Sequence, residues 1–330
     1  LEKISMKKTL IALAAVAVTG TAMADVSMSG RLDFGYKGTS DTASTGVVTK
    51  TSSMGANNAA TSSRLTIKGT EDIGGGLKAG FEITQQIDPT AASGTAVLHR
   101  AREVYTTVSG GFGTVKLGTF TNTLDGYVNL GFKNATGQAA GTFTGRTDTA
   151  IGYTAPKFGD VSVGIIVGSD KTTVSGADTA KENLSLVSVD YASGPLALGL
   201  TIGNVKDSIT AGDKSSQTGI KASYDLGVAK VQWINTNYQD TSAAVKTGTK
   251  SNQYSVSYPM GAMTLSVGYQ SNKGQDTTST TKSNANSLSL DYALSKRTSA
   301  YVTTGSSKTK IAGVQTGKTS ATAIGLIHTF

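Results

Sequence analysis

From Asp25 onward the chain repeats one pattern: a segment of roughly 9 to 11 residues in which apolar side chains alternate with small or polar ones, the period of a strand with two unlike faces. The first copy is V-S-M-S-G-R-L-D-F-G-Y-K, with Val26, Met28, Leu32, Phe34 and Tyr36 on one face and Ser27, Ser29, Arg31 and Asp33 on the other. Later copies are cleaner. Leu196, Leu198, Leu200 and Ile202 oppose Ala197, Gly199, Thr201 and Gly203; Met263, Leu265, Val267 and Tyr269 oppose Thr264, Ser266, Gly268 and Gln270; Leu288, Leu290 and Tyr292 oppose Ser287, Ser289 and Asp291. No helical period emerges over the same span.

Alternation alone fits a soluble sandwich, with its apolar face inward, as well as a membrane barrel, with its apolar face toward lipid and its polar face toward water. The connections separate the two. Tight ones at 72–76, 109–113, 154–160, 191–195, 224–227, 258–263 and 293–298 alternate with long ones at about 38–61, 87–99, 120–145, 169–182, 207–215, 240–249, 272–283 and 308–318, rich in Thr, Ser, Gly, Asn and Lys. Short periplasmic turns and longer extracellular loops make this rhythm, and counting through it predicts about 16 antiparallel strands with both ends on the periplasmic side. Tyr153, Tyr191, Tyr224, Tyr258 and Tyr292 each stand beside a tight turn, as a girdle of rings with polar tips would at the periplasmic membrane interface. The terminal strand A-T-A-I-G-L-I-H-T-F puts Ile324, Leu326 and Phe330 on one face. In a closed barrel it has to pair with the first strand, since lipid tolerates no open edge.

Composition fits this reading. Only 38% of residues are hydrophobic while Gly numbers 40, too little apolar surface for an ordinary soluble core but enough for one lipid-facing side. There is no Cys, which excludes disulfides and thiolate metal sites. Residues 1–24 read as a signal peptide: Lys7 and Lys8, an apolar core T-L-I-A-L-A-A-V-A-V, then Ala22-Met23-Ala24, with cleavage expected before Asp25. Its apolar run is about half the ~20 residues a membrane helix needs. The preceding 1–5 looks like an extension upstream of a natural start at Met6. The barrel domain is then 25–330.

Chemistry-bearing motifs are few. His99 and His328 have no evident Ser or acidic partner, and no nucleophile elbow, zinc-protease or phosphate-loop motif occurs, so the chain is not read as an enzyme and no cofactor is implied. The formal charge of +8 is scattered over the sequence rather than gathered on a face, which argues against nucleic acid as a partner. Asp170, Asp178 and Glu182 lack calcium-ligand spacing and read as solvated loop charges, and no metal site is assigned.

Several stretches resemble the general-diffusion porins of Gram-negative bacteria, most closely the betaproteobacterial branch. They are S-S-R-L-T-I-K-G-T-E-D-I-G-G-G-L-K-A-G-F-E (62–82), V-S-G-G-F-G-T-V-K-L-G (108–118), G-R-T-D-T-A-I-G-Y-T-A-P-K-F-G (145–159), D-Y-A-L-S-K-R-T (291–298) and G-L-I-H-T-F (325–330). The resemblance implies a 16-stranded outer-membrane barrel assembled as a homotrimer among lipid and lipopolysaccharide, passing small hydrophilic solutes and inorganic ions. It also implies that the third extracellular loop folds into the pore opposite a basic wall, and that Phe330 is read by the outer-membrane insertion machinery. The third long connection here lacks the family's usual Pro-Glu-Phe-Gly-like turn, and its only acid is Asp125. Gly152 and Ile327 stand where relatives often carry Arg.

For the basic wall, Arg64 and Lys68 oppose Leu65 and Ile67, Arg31 opposes Leu32, and Arg146 opposes a face taken to hold Thr147, Ile151 and Tyr153. Strict alternation therefore aims all four into the lumen, and Arg or Lys facing lipid near the midplane would cost about 2 to 4 kcal/mol. Arg64, Lys68 and Arg146 match family positions; Arg100 and Arg102 lie near another, on a strand of mixed parity, and are second choices. A lumen-facing base is equally a solvated charge. A constriction lined by clustered cations favours anions, so moderate anion selectivity is expected. The competing reading is a closed barrel serving as a surface adhesin or structural protein.

Overall fold

The computed structural model describes residues 25–56, 62–88, 98–127, 135–136, 146–174, 177–207, 213–242, 245–275 and 280–330. The signal-peptide reading of 1–24 lies outside them. The strands are β1 (Asp25–Ala43), β2 (Val48–Ala56), β3 (Arg64–Gly74), β4 (Leu77–Ile87), β5 (Leu98–Gly110), β6 (Gly113–Thr121), β7 (Arg146–Thr154), β8 (Val161–Val174), β9 (Ala177–Ser193), β10 (Leu196–Asp207), β11 (Lys214–Asp225), β12 (Lys230–Ser242), β13 (Val245–Met260), β14 (Met263–Gly274), β15 (Thr281–Ala293), β16 (Thr298–Ile311) and β17 (Val314–Thr329). A 3₁₀ turn, Thr123–Tyr127, follows β6.

All pairings are antiparallel and, apart from β1 with β3, join sequence neighbours, and β17 returns to β1 to close the sheet. β2 and β3 share one place in the wall: β1 pairs with β2 over Phe34–Thr42 and with β3 over Asp25–Arg31. The barrel is therefore 16-stranded, as the rhythm of turns predicts. Each stretch that the sequence marks as a tight connection falls at a short turn.

The long connections differ from expectation. Much of 38–61, 169–182, 240–249, 272–283 and 308–318 is paired strand: β1 and β2 meet through a turn in which Gly46 N–H donates to the Ala43 carbonyl (3.0 Å), and strands reach 19 residues. Backbone pairing needs no apolar period, and Thr suits a strand. Beyond the membrane both faces of the wall are wet, so alternation disappears while the hydrogen-bond ladder continues.

The two faces of the wall are opposite in kind. Met28, Phe34, Ile151, Leu200, Val267 and Leu326 are exposed on the outside, whereas Asp33, Thr201, Gln217, Ser251, Ser289 and Thr303 are buried within. Tyr191, Tyr224, Tyr258 and Tyr292 are exposed on the outer face next to short turns, and the half-buried Tyr153 donates its hydroxyl to the Phe112 carbonyl in one of them (2.7 Å).

Candidate functional site

The lumen is narrowed from the inside. After β6 the chain turns inward, and Leu124 and Tyr127 are fully buried against the barrel wall. The Leu124 side joins Phe120, Ala150, Ile166 and Leu186 in an apolar cluster on the inner face, where a membrane barrel is otherwise polar. Around the wall, the Thr123 hydroxyl is 2.9 Å from that of Thr201 on β10, and Gln253 Nε2 on β13 donates to the Tyr127 carbonyl (3.4 Å). Tyr127 needs a bed without side chains: a Cβ at Gly219 would sit 2.6 Å from its ring, and one at Gly199 2.6 Å from its hydroxyl. Lys221 lies 4.7 Å from the ring centroid while pairing with Asp190 (2.9 Å) across Gly199. Farther along, Ala135 is buried with Tyr301, Ala321, Ala323 and Ile327 of β16 and β17. The described parts of connection 120–145 thus dock on the inner wall at β8–β13 and again at β16–β17.

Among the described residues, charge collects on the inner face of β1 and β3–β6. Cross-strand register puts Arg31, Arg64, Gln86 and the backbone of Arg100 in one row, and Lys68, Glu82 and Tyr105 in another. Arg31 donates to the Ser62 carbonyl through Nη2 (3.0 Å) and feels the charges of both Arg64 and Arg102. Lys116 of β6 lies 4.0 Å from the Tyr105 ring centroid and 5.0 Å from that of Phe120, a cation held by aromatic faces.

The acids of this wall are committed to hydrogen bonds. Glu82 pairs with Lys68 (3.0 Å) and accepts from the Tyr105 hydroxyl (2.6 Å) and the Thr84 hydroxyl (2.9 Å). Glu103 accepts from the Thr121 N–H (3.0 Å) and from its hydroxyl, which ties the last residue of β6 where the chain turns inward. Asp33 is fully buried and accepts from the Tyr301 hydroxyl (2.8 Å), a ring packed under Ala135. Arg64 and Lys116 make no ion pair with a described residue.

Of the residues singled out from sequence, the structure brings Arg31, Arg64 and Lys68 together on β1 and β3. Asp125 lies half-buried in the 3₁₀ turn. Arg102 is the extra residue of a bulge, where Thr84 pairs with Glu103 and Gln85 with Ala101. The side chains of Arg100, Arg146, Asp170, Asp178 and Glu182 lie outside the described residues. One parity argument is corrected: Thr147 is buried on the inner side, where its hydroxyl accepts from Asn122 Nδ2 (3.0 Å), and does not share the outer face of Ile151. A bulge is the cause. Gly118 pairs with Ala150 and Phe120 with Thr147, so β7 carries one extra residue, and Thr149 takes a positive φ of 51°. Sequence reasoning missed Lys116, Glu82, Glu103 and Lys221, although alternation within V-K-L-G and A-G-F-E already opposes Lys116 and Glu82 to apolar neighbours.

A family model described as Gram-negative porin matches residues 9–312. The chain is a Gram-negative porin. It is 33% identical to outer membrane porin protein 32 of Delftia acidovorans over 90% of this chain and 88% of that one. The fold of this porin matches that of an anion-selective porin from Comamonas acidovorans, with a TM-score of 0.74 at 23% identity, covering 93% of this chain and all of the other. It also matches the trimer form of OmpT from Vibrio cholerae, with a TM-score of 0.67 at 14% identity over 93% and 99% of the two chains. The porin is thus an outer-membrane protein, a water-lined barrel for passive diffusion.

Proposed function

We propose that this porin passes small hydrophilic solutes and inorganic ions as a moderately anion-selective homotrimer, with Arg31, Arg64, Lys68 and Lys116 setting selectivity. The observation that carries the reading is the imbalance among the charged residues of β1 and β3–β6. Glu82, Glu103 and Asp33 are occupied by hydrogen-bond donors, while Arg64 and Lys116, the latter over the Tyr105 ring, make no ion pair with a described residue. Cations in a narrow, low-dielectric passage attract anions and raise the barrier to cations. The anion-selective relative and the trimeric one support the same assignment. Asp125 supplies a single acid on the loop side, too little to reverse the field. Arg100 and Arg102 are assigned to the same basic lining by their place on β5, whereas the bulge that turns Thr147 inward removes the parity that aimed Arg146 at the lumen. The tyrosines beside the short turns form the periplasmic girdle, Phe330 serves as the insertion signal, and residues 1–24 are removed before Asp25. No chemical step is assigned to the chain.

The test is planar-bilayer recording of Asp25–Phe330 in a salt gradient. Conductance steps in groups of three, with a reversal potential on the anion side that moves toward zero in Arg64→Glu, are expected. An unchanged reversal potential in that variant removes the selectivity assignment, and a folded barrel that never conducts favours the closed adhesin.

A further inference from the structure

The outer face of β13–β16 carries a feature that the pore does not use. Successive cross-strand rows, read away from the short-turn end, run Val256, Val267, Leu288 and Thr304; then Tyr254, Tyr269, Asn286 and Ser306; then Asn252, Ser271, Asn284 and Lys308; then Lys250, Lys273, Lys282 and Lys310. No register shift interrupts these pairings, so the last row stands on the same outward side as the apolar one, and its four lysines are exposed. Lys308 is paired in turn with Lys318 of β17. On the same face Lys206 pairs with Lys214 between β10 and β11.

Like charges directly opposite on neighbouring strands, about 5 Å apart, repel and destabilise the sheet. Nothing among the described residues offsets this row. β13, β14, β16 and β17 contain no acid. Asp291, the acid of β15, lies at the short-turn end on the inner face, where its carboxylate accepts from the Ser289 hydroxyl (3.1 Å). The connecting segments contribute Asp276 alone, which lies outside the described residues. A band of lysines without an ion pair among the described residues, just beyond an apolar wall and above a row of amides and hydroxyls, is complementary to phosphates at the lipid–water boundary.

We propose that Lys250, Lys273, Lys282 and Lys310, with Lys308 and Lys318 beside them, bind the phosphate groups of anionic lipid headgroups in the outer leaflet, with Asn252, Ser271 and Asn284 contacting the headgroup below. The proposal rests on the outer-membrane location and not on the channel's selectivity. The occupant is a lipid because the band continues the lipid-facing surface of the same strands.

The experiment compares the mature chain with the variant Lys250→Gln, Lys273→Gln, Lys282→Gln and Lys310→Gln, reading lipid retention by native mass spectrometry in neutral detergent. The probes are bis-phosphorylated lipid A, the same lipid without phosphates, and inorganic polyphosphate. The parent chain is expected to retain the phosphorylated lipid roughly tenfold or more over the phosphate-free form, since each lysine near an anionic surface is worth about a fivefold factor. The variant should lose that preference, keep its bilayer conductance, and unfold at a higher temperature than the parent in neutral detergent, where repulsion is uncompensated. Equal retention of the two lipids by the parent, or an undiminished preference in the variant, overturns the proposal. So does polyphosphate binding as strongly as the lipid, which would make the band a surface for soluble polyanions. Should the quadruple variant not fold, Lys273→Gln alone, central in the row, is read in the same way, and conductance reports separately on the channel.

Discussion

At the scale of single residues, the lumen depends on which charges are already spoken for. Glu82 accepts from three donors and neutralises Lys68, so its removal frees a cation as well as deleting an anion. Glu82→Gln is therefore expected to move the reversal potential further toward the anion side. Lys116→Glu should move it the other way, because it replaces a cation held between the Tyr105 and Phe120 rings, without an ion pair to a described residue, by an anion. Unit charges about 5 Å apart interact by roughly 1 to 3 kcal/mol between the dielectric of water and that of a wet protein surface, so the permeability ratio is expected to change about fivefold or more. Salt-gradient measurements on both variants check the pair; shifts of the same sign would show that wall charge does not set selectivity. Arg64 and Lys68 were legible in the sequence by parity, and Lys116 was missed although the same alternation marks it. Thr147 was not legible, because one extra residue in β7 inverts the sides of everything before it, and no residue type in T-D-T-A announces the bulge.

At the scale of elements, the barrel was legible wherever one face meets lipid and the other water, since only there does the period of two survive. The strand extensions beyond the membrane were not: T-K-T-S-S and S-S-K-T-K read as loop because both of their faces are wet, yet their backbones pair without a break from the apolar rows below. The inward course of connection 120–145 came from family resemblance, and its physical cause appears only in three dimensions, in the glycine bed that admits Tyr127. Two predictions belong to that element. Gly219→Val should lift Tyr127 from the wall and give a noisier channel with altered step size in bilayer recordings; a steady, parental conductance would mean that the seat does not hold the loop. In contrast, Thr123→Cys with Thr201→Cys joins residues whose hydroxyls are already 2.9 Å apart, in a chain with no other thiol. The oxidised form is expected to show shifted mobility on a non-reducing gel and unchanged conductance, as a loop that is seated during conduction requires; current that appears only on reduction would show that the loop must leave the wall.

At the scale of the whole molecule, a closed sheet is only as stable as its seam, because opening it exposes two rows of unpaired backbone groups to lipid at several kcal/mol per group. The seam runs from Arg31 opposite Thr329 to Ala43 opposite Gly317. It ends in a reciprocal clasp: Phe330 N–H donates to the Gly30 carbonyl (3.0 Å) and Gly30 N–H to the Phe330 carbonyl (2.8 Å). The Phe330 ring lies over Gly30, occupying the space that a side chain there would need. The terminal residue is thus structural as well as a candidate signal, and the two roles separate by experiment. Gly30→Val leaves Phe330 in the sequence but evicts its ring from the seam, whereas deletion of Phe330 removes both the signal and the clasp. If the clasp matters to the finished barrel, Gly30→Val refolded in vitro from urea into lipid vesicles, without any insertion machinery, should unfold at lower denaturant than the parent. The deletion should be impaired at least as much in the same assay. Should both variants refold with parental stability in vitro while the deletion alone fails to reach the outer membrane in cells, Phe330 acts as a signal and the seam closes without it.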